Sequence, residues 1–264
     1  MDITGIIIST SIVAGAGILI GVLLGIASKV FHVEVDEKEI QVRELLPGNN
    51  CGGCGYAGCD QLAKAIVTGE ALASACPVGG TQAAKSIAEI VGGDAEVVRK
   101  TAFVKCGGTA DKTTRKYDYS GNKSCIEAAF VPGSGEKSCK YGCMGYGSCV
   151  DVCEFNAIHV KNGIAVVDRE ECVACGKCVK ACPKNLIEII PYDNKYIVAC
   201  ISQYPGKQVK TICQTGCIAC KICEKACQFD AIHVENNIAK IDYEKCTNCG
   251  ECAKKCPSKI IFFD

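Results

Sequence analysis

Twenty-four of the 264 residues are cysteine, and most of them stand two or three residues apart. Thiolates are soft ligands that select zinc, copper(I) or iron–sulfur clusters, so such runs point to metal chemistry. Cys217, Cys220, Cys223 and Cys227 read C-x2-C-x2-C-x3-C, and Cys246, Cys249, Cys252 and Cys256 repeat the pattern with Pro257 following. Structural zinc sites use paired CxxC knuckles or mix cysteine with histidine. Three cysteines at x2 intervals suit instead the closely set iron corners of a cubane. A disulfide framework belongs to small secreted chains; this chain is long and shows no cleavable signal peptide.

The two runs resemble a bacterial two-cluster ferredoxin, in which the fourth cysteine of each run ligates the other run's cluster. The resemblance implies one [4Fe–4S] cluster on Cys217, Cys220, Cys223 and Cys256. It implies a second on Cys227, Cys246, Cys249 and Cys252.

An internal repeat extends the pattern upstream. Residues 153–183 align with 227–257 without a gap at an offset of 74. By that register Cys153, Cys172, Cys175 and Cys178 form a third set. The stretch SCKYGCMGYGSCVDVC (138–153) is the irregular part of this copy: Cys143, Cys149 and Cys153 match Cys217, Cys223 and Cys227, but Tyr146 stands where Cys220 stands. Cys139, four residues ahead of the run, is available in its place, which suggests a cluster on Cys139, Cys143, Cys149 and Cys182. A three-cysteine site on Cys143, Cys149 and Cys182, holding a [3Fe–4S] cluster, is the competing reading.

A further group, Cys51, Cys54, Cys59 and Cys76, is embedded in NNCGGCGYAGCDQLAKAI and closes with ACP. Its glycines let the backbone wrap closely around a cubane. A zinc knuckle is the alternative; a thioredoxin-like CxxC lacks the βαβ context. Four cysteines then remain: Cys106, Cys125, Cys200 and Cys213. They suffice for a sixth cluster, and equally they could be buried thiols packing as small apolar side chains. Cys139 and Cys213 could also exchange roles between neighbouring sites.

The elements that must hold these residues are short. Each repeat carries two β-type runs, joined in the first copy by Asn162-Gly163, a strong hairpin signal. Short helices would carry the cysteine triplets, and residues 49–95 show an Ala-rich helical pattern. His159 and His233 share one strand position in the two repeats, which favours a structural role for both, and His32 stands alone. From Ile3 to Ser28 no residue is charged, enough to span a bilayer with some tilt. Gly17, Gly21 and Gly25 have the spacing that lets another helix approach. Lys29, Lys38 and Arg43 follow the segment, which puts the C-terminal bulk on the cytoplasmic side. Residues 96–137 read as a basic connector, either a solvated surface or a docking patch for an acidic protein.

Composition excludes several roles. Formal charge is balanced at +0, so no global field favours nucleic acid. No G-x-G-x-x-G or P-loop offers a nucleotide site, so neither NAD nor flavin is expected on this chain, and no acid–base or nucleophilic constellation stands out.

A membrane helix, a CGGCGYAGC module ending in ACP, and then ferredoxin repeats: this order resembles the B-subunit family of the Rnf complex along essentially the whole chain. The resemblance implies an α+β fold with an N-terminal transmembrane helix (1–29), a small single-cluster [4Fe–4S] domain (30–95) and the connector with extra cysteines (96–137). Two tandem bacterial-ferredoxin-like units follow, at 138–190 and 213–264, joined by 191–212. It implies an iron–sulfur protein that takes electrons from soluble reduced ferredoxin and passes them to redox centres in the cell membrane. The complex would couple that flow to Na⁺ or H⁺ transport and NAD⁺ reduction. Partners would be the other subunits of the membrane complex, which would also carry NAD⁺ and the flavins. Two rival readings are a membrane-anchored polyferredoxin wiring another reductase or hydrogenase, and a metal-structured scaffold without redox activity.

Overall fold

The computed structural model describes residues 3–30, 36–93 and 98–262; His32 lies outside the described residues. A 28-residue helix, α1 (Ile3–Val30), leads the chain. Val13, Ile18, Leu19 and Leu24 on it are exposed. Among the residues whose side chains are described, no helix is long and apolar enough to cross a membrane.

Three helices form the next module: α2 (Glu37–Leu45), α3 (Cys59–Val67) and α4 (Gly80–Val91). The Asp36 side chain accepts from Lys38 N and caps α2, which satisfies one orphan amide of the first turn. Val42, Leu62, Ile66 and Ile87 are fully or nearly fully buried and meet in one small core.

Two units of similar build follow. The first contains β1 (Lys100–Val104), α5 (Cys125–Ala128), α6 (Ser148–Asp151), the hairpin β2 (Ile158–Lys161) and β3 (Ile164–Val167), α7 (Lys177–Ala181) and β4 (Ile187–Pro191). The second contains β5 (Ile197–Val198), α8 (Gly206–Ile212), α9 (Ile222–Ala226), the hairpin β6 (Ile232–Glu235) and β7 (Ile238–Ile241), α10 (Glu251–Lys255) and β8 (Ile261–Phe262). Asn162 and Gly163 both have positive φ, as do Asn236 and Asn237. That pair of left-handed residues makes the tight turn whose twist matches a hairpin. His159 and His233 occupy equivalent register positions, opposite Val166 and Lys240.

The connectors differ from the sequence expectation. β1 lies within 96–137 and pairs antiparallel with β4, while β5 lies within 191–212 and pairs with β8. Each unit therefore recruits a strand from ahead of its cysteine runs. Local patterning cannot reveal this, because the partners are far apart in sequence: Val104 meets Ile187, and Val198 meets Ile261. Separate cores built on Ile158, Leu186 and Ile187, and on Ile232, Ile260 and Ile261, back the two units.

Candidate metal centres

The cysteine loops owe their shape to left-handed residues. Ala174 and Gly176, Ala219 and Lys221, and Asn248 and Gly250 each flank a cysteine with positive φ. Such alternation turns successive amides toward one centre, where they can face anionic sulfur. Each loop then enters a short helix, α7, α9 or α10, which carries the last cysteine of its triplet.

Three groups of four cysteines each line one cavity. Cys153, Cys172, Cys175 and Cys178 line one, walled by Ile158 and Val167. Cys217, Cys220, Cys223 and Cys256 line a second, and Cys227, Cys246, Cys249 and Cys252 a third. Backbone amides point at the sulfurs: Ala102 N donates to Cys172 Sγ at 3.3 Å, and Ala157 N and Ala231 N donate to Cys153 and Cys227 Sγ at 3.4 Å. In the N-terminal module Cys54, Cys59 and Cys76 pack together on the helical core. Asn50 Oδ1 there accepts from Cys59 N at 2.8 Å. Cys51 lies at the edge of that module, within electrostatic range of Cys175.

The remaining eight cysteines sort differently from the sequence expectation. Cys149 neighbours Cys143, Cys182 and Cys125, and Ser148 Oγ accepts from Cys125 N at 2.9 Å. Cys139 instead lines one cavity together with Cys106, Cys200 and Cys213. Cys139 and Cys125 thus stand in each other's expected places. The cause is the path of residues 113–115. Thr113 bridges to Cys213 of the second unit and Arg115 bridges to Lys137, while Ser138 N donates to Thr114 O at 2.8 Å. This extended segment holds Cys139 on the side facing the second unit.

Tyr146 sits between Gly145 (φ 76°) and Gly147 (φ 91°), as Cys220 sits between two left-handed residues in the second copy. The loop has therefore kept its backbone and changed its side chain. Tyr146 packs beside Cys125 and Met144, against Tyr119 at 5.6 Å between ring centroids.

The donor chemistry fits iron–sulfur clusters. Burial pushes the Cys149 and Cys200 thiols up to about 12, and those of Cys178, Cys223 and Cys252 up to about 11, with neighbouring thiolates adding to each. Several thiolates can coexist in such a pocket only beside positive charge, which bound iron provides. Among the described residues no group of three or more His, Cys, Asp or Glu is drawn close enough to hold a single metal ion. In each of three places four cysteines ring one shared cavity.

Known proteins share these features. A family model described as "Putative Fe-S cluster" matches residues 46–78, one for a 4Fe-4S binding domain matches 165–188, and one for a 4Fe-4S dicluster domain matches 216–260. Among curated proteins, the B subunit of the Na(+)-translocating ferredoxin:NAD(+) oxidoreductase complex of Acetobacterium woodii is 48% identical over 264 residues, covering 99% of this chain and 79% of its own. The B subunit of the ion-translocating oxidoreductase complex of Methanosarcina acetivorans is 43% identical, covering 96% of each chain. The B subunit of the proton-translocating ferredoxin:NAD(+) oxidoreductase complex of Clostridium ljungdahlii is 37% identical, covering 93% of this chain and 88% of its own.

Proposed function

The chain belongs to the B-subunit family of ion-translocating oxidoreductase complexes, and from that premise we propose how its cysteines serve the complex. It is an iron–sulfur electron-transfer component of an ion-translocating ferredoxin:NAD(+) oxidoreductase complex. Reduced ferredoxin is its electron donor, and redox centres of the membrane subunits are its acceptors. A [4Fe–4S] cluster, when bound, takes up and releases single electrons without making or breaking substrate bonds.

This chain's residues hold, insulate and align the clusters. Cys51, Cys54, Cys59 and Cys76 hold the N-terminal one. Cys153, Cys172, Cys175 and Cys178 hold the next, and the two sets of the second unit hold their counterparts. The amides that donate to Cys153, Cys172 and Cys227 favour the more negative, reduced state by dispersing its charge. Apolar side chains such as Ile158 and Ile232 line the cavities beside the sulfurs.

The observation that carries this reading is contiguity. The N-terminal module touches the first unit at Gly53 and Cys175. The first unit touches the second where Gly107 N donates to Ala199 O at 2.9 Å. A metal-structured scaffold would not require its sites to lie in series.

Helix α1 serves as a single membrane span, with the cysteine-bearing bulk on the cytoplasmic side. Its length, its exposed apolar side chains and the basic Lys29 at its end support this.

Anaerobic purification of the intact chain, followed by stepwise titration with reduced ferredoxin, tests the function. Iron–sulfur absorbance that bleaches stepwise is expected. A colourless, zinc-containing protein would overturn it.

A further inference from the structure

The two units are related by their repeat, and that relation continues beyond the ferredoxin motifs. Cys106 lies two residues beyond the end of β1, and Cys200 two residues beyond the end of β5. Cys139 lies four residues ahead of Cys143, and Cys213 four ahead of Cys217. Each unit thus carries the same two cysteines outside its ferredoxin runs.

All four meet at the seam between the units. They line one cavity together, as each ferredoxin set of four lines its own. The seam is closed by backbone: Gly107 N donates to Ala199 O at 2.9 Å, Gln214 N to Lys112 O at 2.9 Å, and Thr114 N to Ile212 O at 3.1 Å. Thr215 Oγ1 also donates to Gly107 O at 2.9 Å. The surrounding amides are placed as in the ferredoxin sites, with Ser202 N donating to Cys200 Sγ at 3.4 Å.

Gly108 brings the backbone close to two of the four thiols. A Cβ on Gly108 would stand 2.8 Å from Thr113 Cγ2, 3.5 Å from Cys213 Sγ and 3.7 Å from Cys106 Sγ. It would point between two of the four thiols.

We infer that Cys106, Cys139, Cys200 and Cys213 together hold a sixth [4Fe–4S] cluster bridging the two ferredoxin-like units, and that Cys125 replaces Cys139 beside Cys143, Cys149 and Cys182. The inference rests on the electron-transfer reading above and deepens it. The bridging site contacts both neighbours through equivalent bonds: Cys143 N donates to Cys106 Sγ at 3.4 Å and Cys217 N donates to Cys200 Sγ at 3.3 Å. A four-thiolate site shared by two halves of one chain is the internal counterpart of an isologous interface, where the same surface contributes from each side.

The test uses the full chain purified anaerobically, with iron and sulfide counted per chain and the reduced protein studied by electron paramagnetic resonance. With four irons per cubane, the wild type should hold about 24 irons. The paired variants Cys106→Ser/Cys139→Ser and Cys200→Ser/Cys213→Ser should each fall to about 20 and lose the same spectral component. Cys125→Ser should lose a different component, the one lost in Cys182→Ser. The retained clusters report that each variant has folded. The inference is overturned if the wild type holds about 20 irons that both pairs leave intact, or if Cys139→Ser removes the component lost in Cys182→Ser. A protein with no iron would overturn the electron-transfer reading itself, an outcome distinct from either of these.

Discussion

Gly53 lies against the backbone of Cys175: a Cβ built on Gly53 would stand 2.7 Å from Cys175 O and 3.0 Å from its Cα. The contact joins the N-terminal module to the first ferredoxin-like unit, with a cysteine loop on each side. Gly53→Val should force the two loops apart, because backbone on the far side cannot yield as a flexible side chain would. The expected result is unchanged iron content with weakened magnetic interaction between the two reduced clusters and slower reoxidation from one end of the chain. An unaltered spin–spin interaction would show that the loops do not set the spacing.

Tyr146 and Cys125 pack together. The loop around Tyr146 keeps the left-handed residues Gly145 and Gly147, so a cysteine there would point as Cys220 does. Cys125→Ser should lose one cluster, and the added substitution Tyr146→Cys should restore it. Iron counts and spectra of the single and double variants check this. If Tyr146→Cys fails to restore the cluster lost in Cys125→Ser, the two positions do not serve the same corner.

The place of Cys125 is hidden in the sequence by its spacing. Cys125 precedes Cys139 by 14 residues and Cys200 precedes Cys213 by 13, so the repeat register sets Cys125 one residue from the place of Cys200. The structural partner of Cys200 is Cys106, which stands equivalently after its strand but 33 residues ahead of Cys139. A 20-residue insertion in the first unit, carrying α5, separates them and supplies Cys125. By contrast, the cysteines of 153–183 and 227–257 are legible because their ligand spacing is local and the copies align without gaps. The strand pairs β1 with β4 and β5 with β8 are not legible. Only the folded units bring those distant segments together, and no turn signal joins them.

Lys137 ties the seam of the first unit from inside. It is only 6% exposed, and its Nζ donates to Gly108 O at 2.8 Å and Gly163 O at 2.7 Å. Lys137→Met should leave both carbonyls without that donor and lower unfolding stability by about 3 kcal/mol. It also removes a positive charge within range of Cys143. Adding an electron nearby then becomes harder, so the midpoint potential of the site that uses Cys143 should become more negative. Redox titration of the variant against wild type checks the sign; a shift to a more positive potential would contradict it.

Helix α1 carries a row of glycines along its length. Gly17, Gly21 and Gly25 face open space, with nothing within 4 Å of a Cβ added at any of them, and such a row lets a second helix pack closely in lipid. Leu19 near the helix centre is exposed. An arginine there costs roughly 3 kcal/mol in a bilayer and almost nothing on a water-exposed helix. Leu19→Arg should therefore move much of the chain from the alkali-resistant membrane fraction into the soluble one. Gly21→Leu should leave membrane partitioning intact and reduce recovery of the other subunits with the chain. If Leu19→Arg leaves membrane association unchanged, the helix does not cross the bilayer, and contacts with other subunits would have to hold the chain at the membrane.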